Sequence, residues 1–121
     1  MKLPSDYLEL VGAGVRVLSS LGTALRDEAE QRPQAPELWL AVRDLEGLAM
    51  RLAAMTDGEW RNGVANLLFT GQDFGVLDEV LMARRIGGLR LSDEQAGLLA
   101  RLRQFLEQYQ RHDFEFERPA N

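Results

Sequence analysis

The sequence predicts an all-α fold: a compact bundle of about five helices with a short extended C-terminal tail. Three observations carry this prediction. Apolar residues recur at steps of three and four through most of the chain, the spacing of a helical face. Two stretches are preceded by capping boxes, Thr56-Asp57-Gly58-Glu59 and Ser92-Asp93-Glu94-Gln95. In such a box the hydroxyl accepts from the amide three residues on, and the Glu or Gln side chain accepts from the cap amide. Finally, Pro33, Pro36, Gly71 and Gly87-Gly88 fall between the periodic stretches and punctuate them.

The first predicted helix covers 6–31, with Asp6 as its cap and Glu9 in the first turn. Leu8, Val11, Val15, Leu18, Gly22, Leu25 and Ala29 form one face held over about three heptads. Gly12, Gly14 and Gly22 each weaken the helix by roughly 0.5–1 kcal/mol relative to Ala. A bend or break is therefore expected at 19–23. The segment 31–36, with its two prolines, is the clearest linker.

Pro36 suits the first position of the second helix, 36–55, where a missing amide proton costs nothing. Trp39, Val42, Leu45, Leu48, Leu52 and Met55 supply its stripe. Thr56 is expected to open a third helix, 57–70, with Met55 stapled onto Trp60 and a face of Trp60, Val64, Leu67 and Leu68. Asp73 is expected to cap a fourth, 74–86, built on Phe74, Leu77, Val80 and Leu81 and stopped by Gly87-Gly88. Leu98, Leu99, Leu102, Phe105, Leu106 and Tyr109 define the fifth, 93–110. Past His112 the period changes from 3.6 to 2. Phe114 and Phe116 then fall on one side of an extended tail, with Asp113, Glu115 and Glu117 on the other.

The chain has 121 residues, 45% hydrophobic and 27% charged, which fits a single domain over 1–121. Its N-terminus lacks the basic and apolar regions of a signal peptide, and no run of apolar residues reads as a membrane span, so a cytoplasmic location is expected. Thirteen of the 14 basic residues are arginine, a usage expected of a GC-rich bacterial genome rather than a functional signal.

With no cysteine and one histidine, His112, neither a thiolate site nor a multi-histidine metal site can form. Asp78-Glu79 and Asp93-Glu94 imitate a carboxylate metal site, but no Glu-x-x-His accompanies them. Gly12-Ala13-Gly14 follows no strand, which removes a dinucleotide site and leaves close helix packing. No catalytic residue, cofactor or metal is assigned, and the chain is expected not to be an enzyme.

A net charge of −5 argues against nucleic acid as the main partner. Arg84, Arg85, Arg90, Arg101 and Arg103 do surround a helix–glycine–helix outline. However, six residues separate Ile86 from Asp93, longer than a helix-turn-helix turn. What remains is an acidic surface flanked by rings: Glu59 beside Trp60, Asp73 beside Phe74, and the Phe114/Phe116 tail. Rings anchor and acids steer in an interface with a basic protein, so Asp73, Phe74, Asp78, Glu79, Asp113, Glu115 and Glu117 are the candidate partner-binding residues.

The segment Trp60-(x3)-Val64-(x2)-Leu67-Leu68-Phe69-Thr70-Gly71-Gln72-Asp73-Phe74, followed by Leu77-Asp78-Glu79-Val80-Leu81, carries a family likeness. With Leu91-Ser92-Asp93-Glu94 and Leu98-(x3)-Leu102 it resembles small helical immunity proteins of bacterial polymorphic toxin systems, notably the Maf-type group. The resemblance covers residues 56–109, less than half of the chain. Phe74 departs from it, standing where a small or polar residue is expected. The resemblance implies a cytoplasmic antidote that occludes a toxin domain, often a basic nuclease, by direct contact. The alternative expectation is an adaptor, chaperone or self-associating module, with the stripe from Leu8 to Ala29 seating a second copy. Least favoured is a nucleic-acid-binding regulator.

Overall fold

The structure is a computed structural model that describes residues 5–56, 69, 71–86 and 88–111. Among the described residues there are four helices and one two-stranded hairpin: α1 (Ser5–Gln31), α2 (Glu37–Met55), α3 (Gly71–Ala83), β1 (Arg85–Ile86), β2 (Leu89–Arg90) and α4 (Asp93–Arg111). The all-helical character stands. The predicted third helix, 57–70, and the extended tail with Phe114 and Phe116 lie outside the described residues, apart from Phe69.

α1 runs unbroken for 27 residues, so the expected bend at 19–23 is absent. Tertiary packing outweighs the glycine penalty here. Val11, Leu18, Leu21, Leu25 and Ala29 are all buried, and Gly14 and Gly22 are buried with them. Gly22 lies against Glu46 and Leu45 of α2, and Gly14 against Leu102 of α4. The glycines thin α1 where neighbouring helices approach. By length and composition Asp6–Gln31 is also apolar enough to cross a membrane, contrary to the sequence reading. In this fold its apolar face is the core.

That core joins α1, α2, α3 and α4, with α1 packed most extensively along α2. Val42, Leu45, Leu48, Leu52 and Met55 of α2 are buried as their spacing predicts, whereas Trp39 is 40% exposed and lies beneath the Arg26 guanidinium at 5.5 Å. Arg26 also forks onto Glu46, with Nη2 donating to Oε1 at 2.7 Å and Nε to Oε2 at 3.2 Å, tying α1 to α2. At the other end Tyr7 of α1 stacks on Phe105 of α4, centroids 4.6 Å apart. Phe69 meets Tyr109 edge-on at 6.4 Å.

The second capping box forms as expected. The Gln95 amide donates to Ser92 Oγ and the Ser92 amide to Gln95 Oε1, both at 3.0 Å, and α4 begins at the next residue, Asp93. Ser92→Ala is expected to lower stability by about 1 kcal/mol, read from the urea midpoint at an unchanged denaturant slope. Thr56 behaves differently. It is the C-cap of α2, and its hydroxyl donates to the Ala53 carbonyl at 2.7 Å. Glu59, the other half of its predicted box, lies outside the described residues.

Two boundaries of α3 differ from expectation. It starts at Gly71, so Asp73 lies inside the first turn instead of capping it, and it ends at Ala83, not at 86. Arg84 follows at φ 55°, the left-handed conformation, and its amide donates to the Val80 carbonyl at 2.8 Å, closing the helix with a residue that is not glycine. The chain then forms the hairpin, in which Arg85 pairs with Arg90 and Ile86 with Leu89. Gly-Gly between Ile86 and Leu89 is a two-residue hairpin signal, and reading it as a plain helix stop missed the hairpin.

Candidate functional site

Three of the predicted partner-binding residues have work inside the fold. Asp73 was expected on the surface; it is 5% exposed and pairs with Arg51 of α2. The reason is the early start of α3. One turn of helix carries the carboxylate inward, where the positive helix end and the guanidinium stabilise it. The Arg51 Nε is buried and makes no hydrogen bond among the described residues.

Asp78 is half exposed yet engaged. Arg103 of α4 donates to it through Nε at 2.5 Å and Nη2 at 3.2 Å, a two-point fork between α3 and α4. Arg103 also reaches Glu107 at 3.3 Å, and its guanidinium covers the Phe74 ring at 5.3 Å. The hydrogen bond from Arg103 to Asp78 raises the Arg103 pKa above its ordinary value, so the guanidinium stays charged. Phe74 and Asp78 thus form one cluster that fastens α3 to α4. Asp113, Glu115 and Glu117 lie outside the described residues.

Glu79 is the remaining member of the set, and its place is different. It lines a groove of about 320 Å³ bounded by α1, α2, α3 and β1. Leu25, Leu45, Val76, Val80 and Ile86 supply the apolar lining. Asp44 stands on the α2 wall, Glu79 on the α3 wall, and Arg85 at the hairpin. Glu79 makes no ion pair or hydrogen bond among the described residues. Asp44 has one long contact, to the exposed Arg43 at 3.8 Å.

Large apolar side chains are exposed on the same two helices. Leu40, beside the groove-lining Ala41, is 55% exposed. Met82, beside the groove-lining Ala83, is 87% exposed, and Met50 of α2 is 73% exposed. Sequence reasoning missed Asp44 and Arg51, and read Arg85 only as one of the arginines around the helix–glycine–helix outline. On a helical projection Asp44 and Arg51 flank the buried stripe of α2, a detectable signal for residues at the edge of a packed face. The partner of Arg51 on α3, Asp73, stands 22 residues away and carries no local mark.

No cluster of three or more potential metal ligands occurs among the described residues. The groove offers shape, apolar surface, two carboxylates and the Arg85 guanidinium. Comparisons with protein-family models, with curated proteins and with solved structures find no match to this chain.

Proposed function

We propose that this protein is an immunity-type inhibitor that binds a bacterial toxin or effector domain and neutralises it by direct contact, without catalysis. The observation that carries the reading is the apolar groove between α2 and α3, with a carboxylate on each wall, on helices that also expose Leu40 and Met82. Exposed large apolar side chains next to like-signed charge are the ingredients of a docking surface. The apolar groups supply burial, and the acids steer a basic partner. The resemblance of residues 56–109 to Maf-type immunity proteins supports the same reading.

The direct test is co-expression with the product of the adjacent gene. Growth arrest by that gene alone, relieved by this protein, is the expected result; absence of relief sinks the reading. With the purified pair, association should slow as salt rises, and Glu79→Lys should slow it further by roughly tenfold, read by stopped-flow at constant ionic strength.

A self-associating or adaptor module is the second reading, favoured by the exposure of Met82. The α1 stripe no longer serves that role, because it is occupied by α2 and α4. Light scattering separates the two readings, since inhibition calls for a complex between different chains.

A further inference from the structure

We infer that the groove between α2, α3 and the hairpin is a seat for one arginine side chain of the partner. This inference rests on the proposed inhibitor reading and names the chemistry of its contact.

Size comes first. A volume of about 320 Å³ is at the small end for ligand pockets, suited to a single long side chain rather than a helix or a cofactor. Composition comes next. Leu45, Val76 and Val80 offer apolar walls for an alkyl stem, which lysine and arginine bury readily while their heads stay polar.

Charge then selects among long side chains. An aliphatic anchor would cover Asp44 and Glu79 and strip their water without returning a hydrogen bond. An acidic anchor would be repelled by both. A cation is attracted from two walls at once, because Asp44 belongs to α2 and Glu79 to α3. Guanidinium is the better match for this pair. Its planar fork presents five donors and can serve two carboxylates simultaneously, whereas an ammonium acts as a point charge.

The test uses three probes on the full chain: the N-acetyl methylamides of arginine, lysine and norleucine, titrated by two-dimensional amide NMR. Saturable shifts with the arginine probe at the Ala41, Leu45, Val80 and Ile86 amides are expected. Asp44→Asn and Glu79→Gln should each weaken binding about tenfold. Both variants are conservative, and an undisturbed amide spectrum verifies their folding. Asp27→Asn, on an exposed acid of α1 outside this groove, should change nothing. Equal binding of the norleucine or lysine probe overturns the inference, as do shifts that map elsewhere.

Failure here separates from failure of the inhibitor reading. Rescue in co-expression that survives the Asp44→Asn/Glu79→Gln double change overturns the arginine seat and leaves the inhibitor standing. Arginine-selective binding without rescue supports the seat and removes the inhibitor.

Discussion

Arg51→Met is expected to lower stability by about 3 kcal/mol, the low end for breaking a buried ion pair, and to reduce Tm by roughly 10 °C. The substitution keeps most of the stem volume but removes the cation paired with the Asp73 carboxylate, which is 7% exposed in its side chain. The low end applies because the Arg51 side chain is 37% exposed, so solvent already screens part of the pair. Replacing both partners, Arg51→Met with Asp73→Leu, should recover the part of the loss that comes from leaving the Asp73 charge without its guanidinium. Thermal and urea melts of the two single variants and the double variant complete the cycle. A loss below about 1 kcal/mol for Arg51→Met would show that the pair behaves as a surface bridge.

The second large effect sets two neighbouring glycines against each other. Gly12→Ala should stabilise α1 by about 1 kcal/mol, because alanine is the better helix former and its Cβ would meet only Arg16 Nη1 at an ordinary 3.8 Å. Gly14→Val should do the reverse, costing about 3 kcal/mol through overpacking. At Gly14 even a Cβ would stand 2.5 Å from Leu102 Cδ2, and Leu102 is fully buried with little room to retreat. Trimming the obstacle, Gly14→Val with Leu102→Ala, should cost less than the sum of the two single losses, a coupling readable from chemical denaturation. If both glycine variants proved stabilising, the close approach of α1 and α4 would be wrong.

These predictions show where sequence reading succeeds. The stripes of α1, α2 and α4 were legible for most of their residues, because a helix must bury its apolar face whatever it packs against; the exposed Trp39 and the buried Leu21 are the departures. The Ser92 box was legible down to its two hydrogen bonds, which involve only residues three apart. The reading went astray at 71–91, where helix and hairpin compete. There the left-handed Arg84 ends α3 early, and residues 85–86 pair with 89–90 in a hairpin that period-3.6 reasoning does not look for.

The candidate site was legible only in part. Asp73, Phe74, Asp78 and Glu79 are adjacent in sequence and look alike as an acidic, ring-bearing patch. Helical geometry sends them to different neighbours: Asp73 to Arg51, Phe74 and Asp78 to Arg103, and Glu79 to the groove. No property of the individual residues distinguishes them, since each assignment depends on which distant side chain lies opposite.

The sequence by itself determined the helical class, the buried faces, the cap of α4 and the exclusion of thiolate and multi-histidine metal sites, because these follow from composition and interactions within a few residues. Tertiary structure alone decided that α1 stays continuous through its glycines, that Asp73 is a buried clamp, and that Asp44 and Glu79 face one groove. Those outcomes turn on contacts between residues about 20 to 90 positions apart, whose energies have no local signature in the chain.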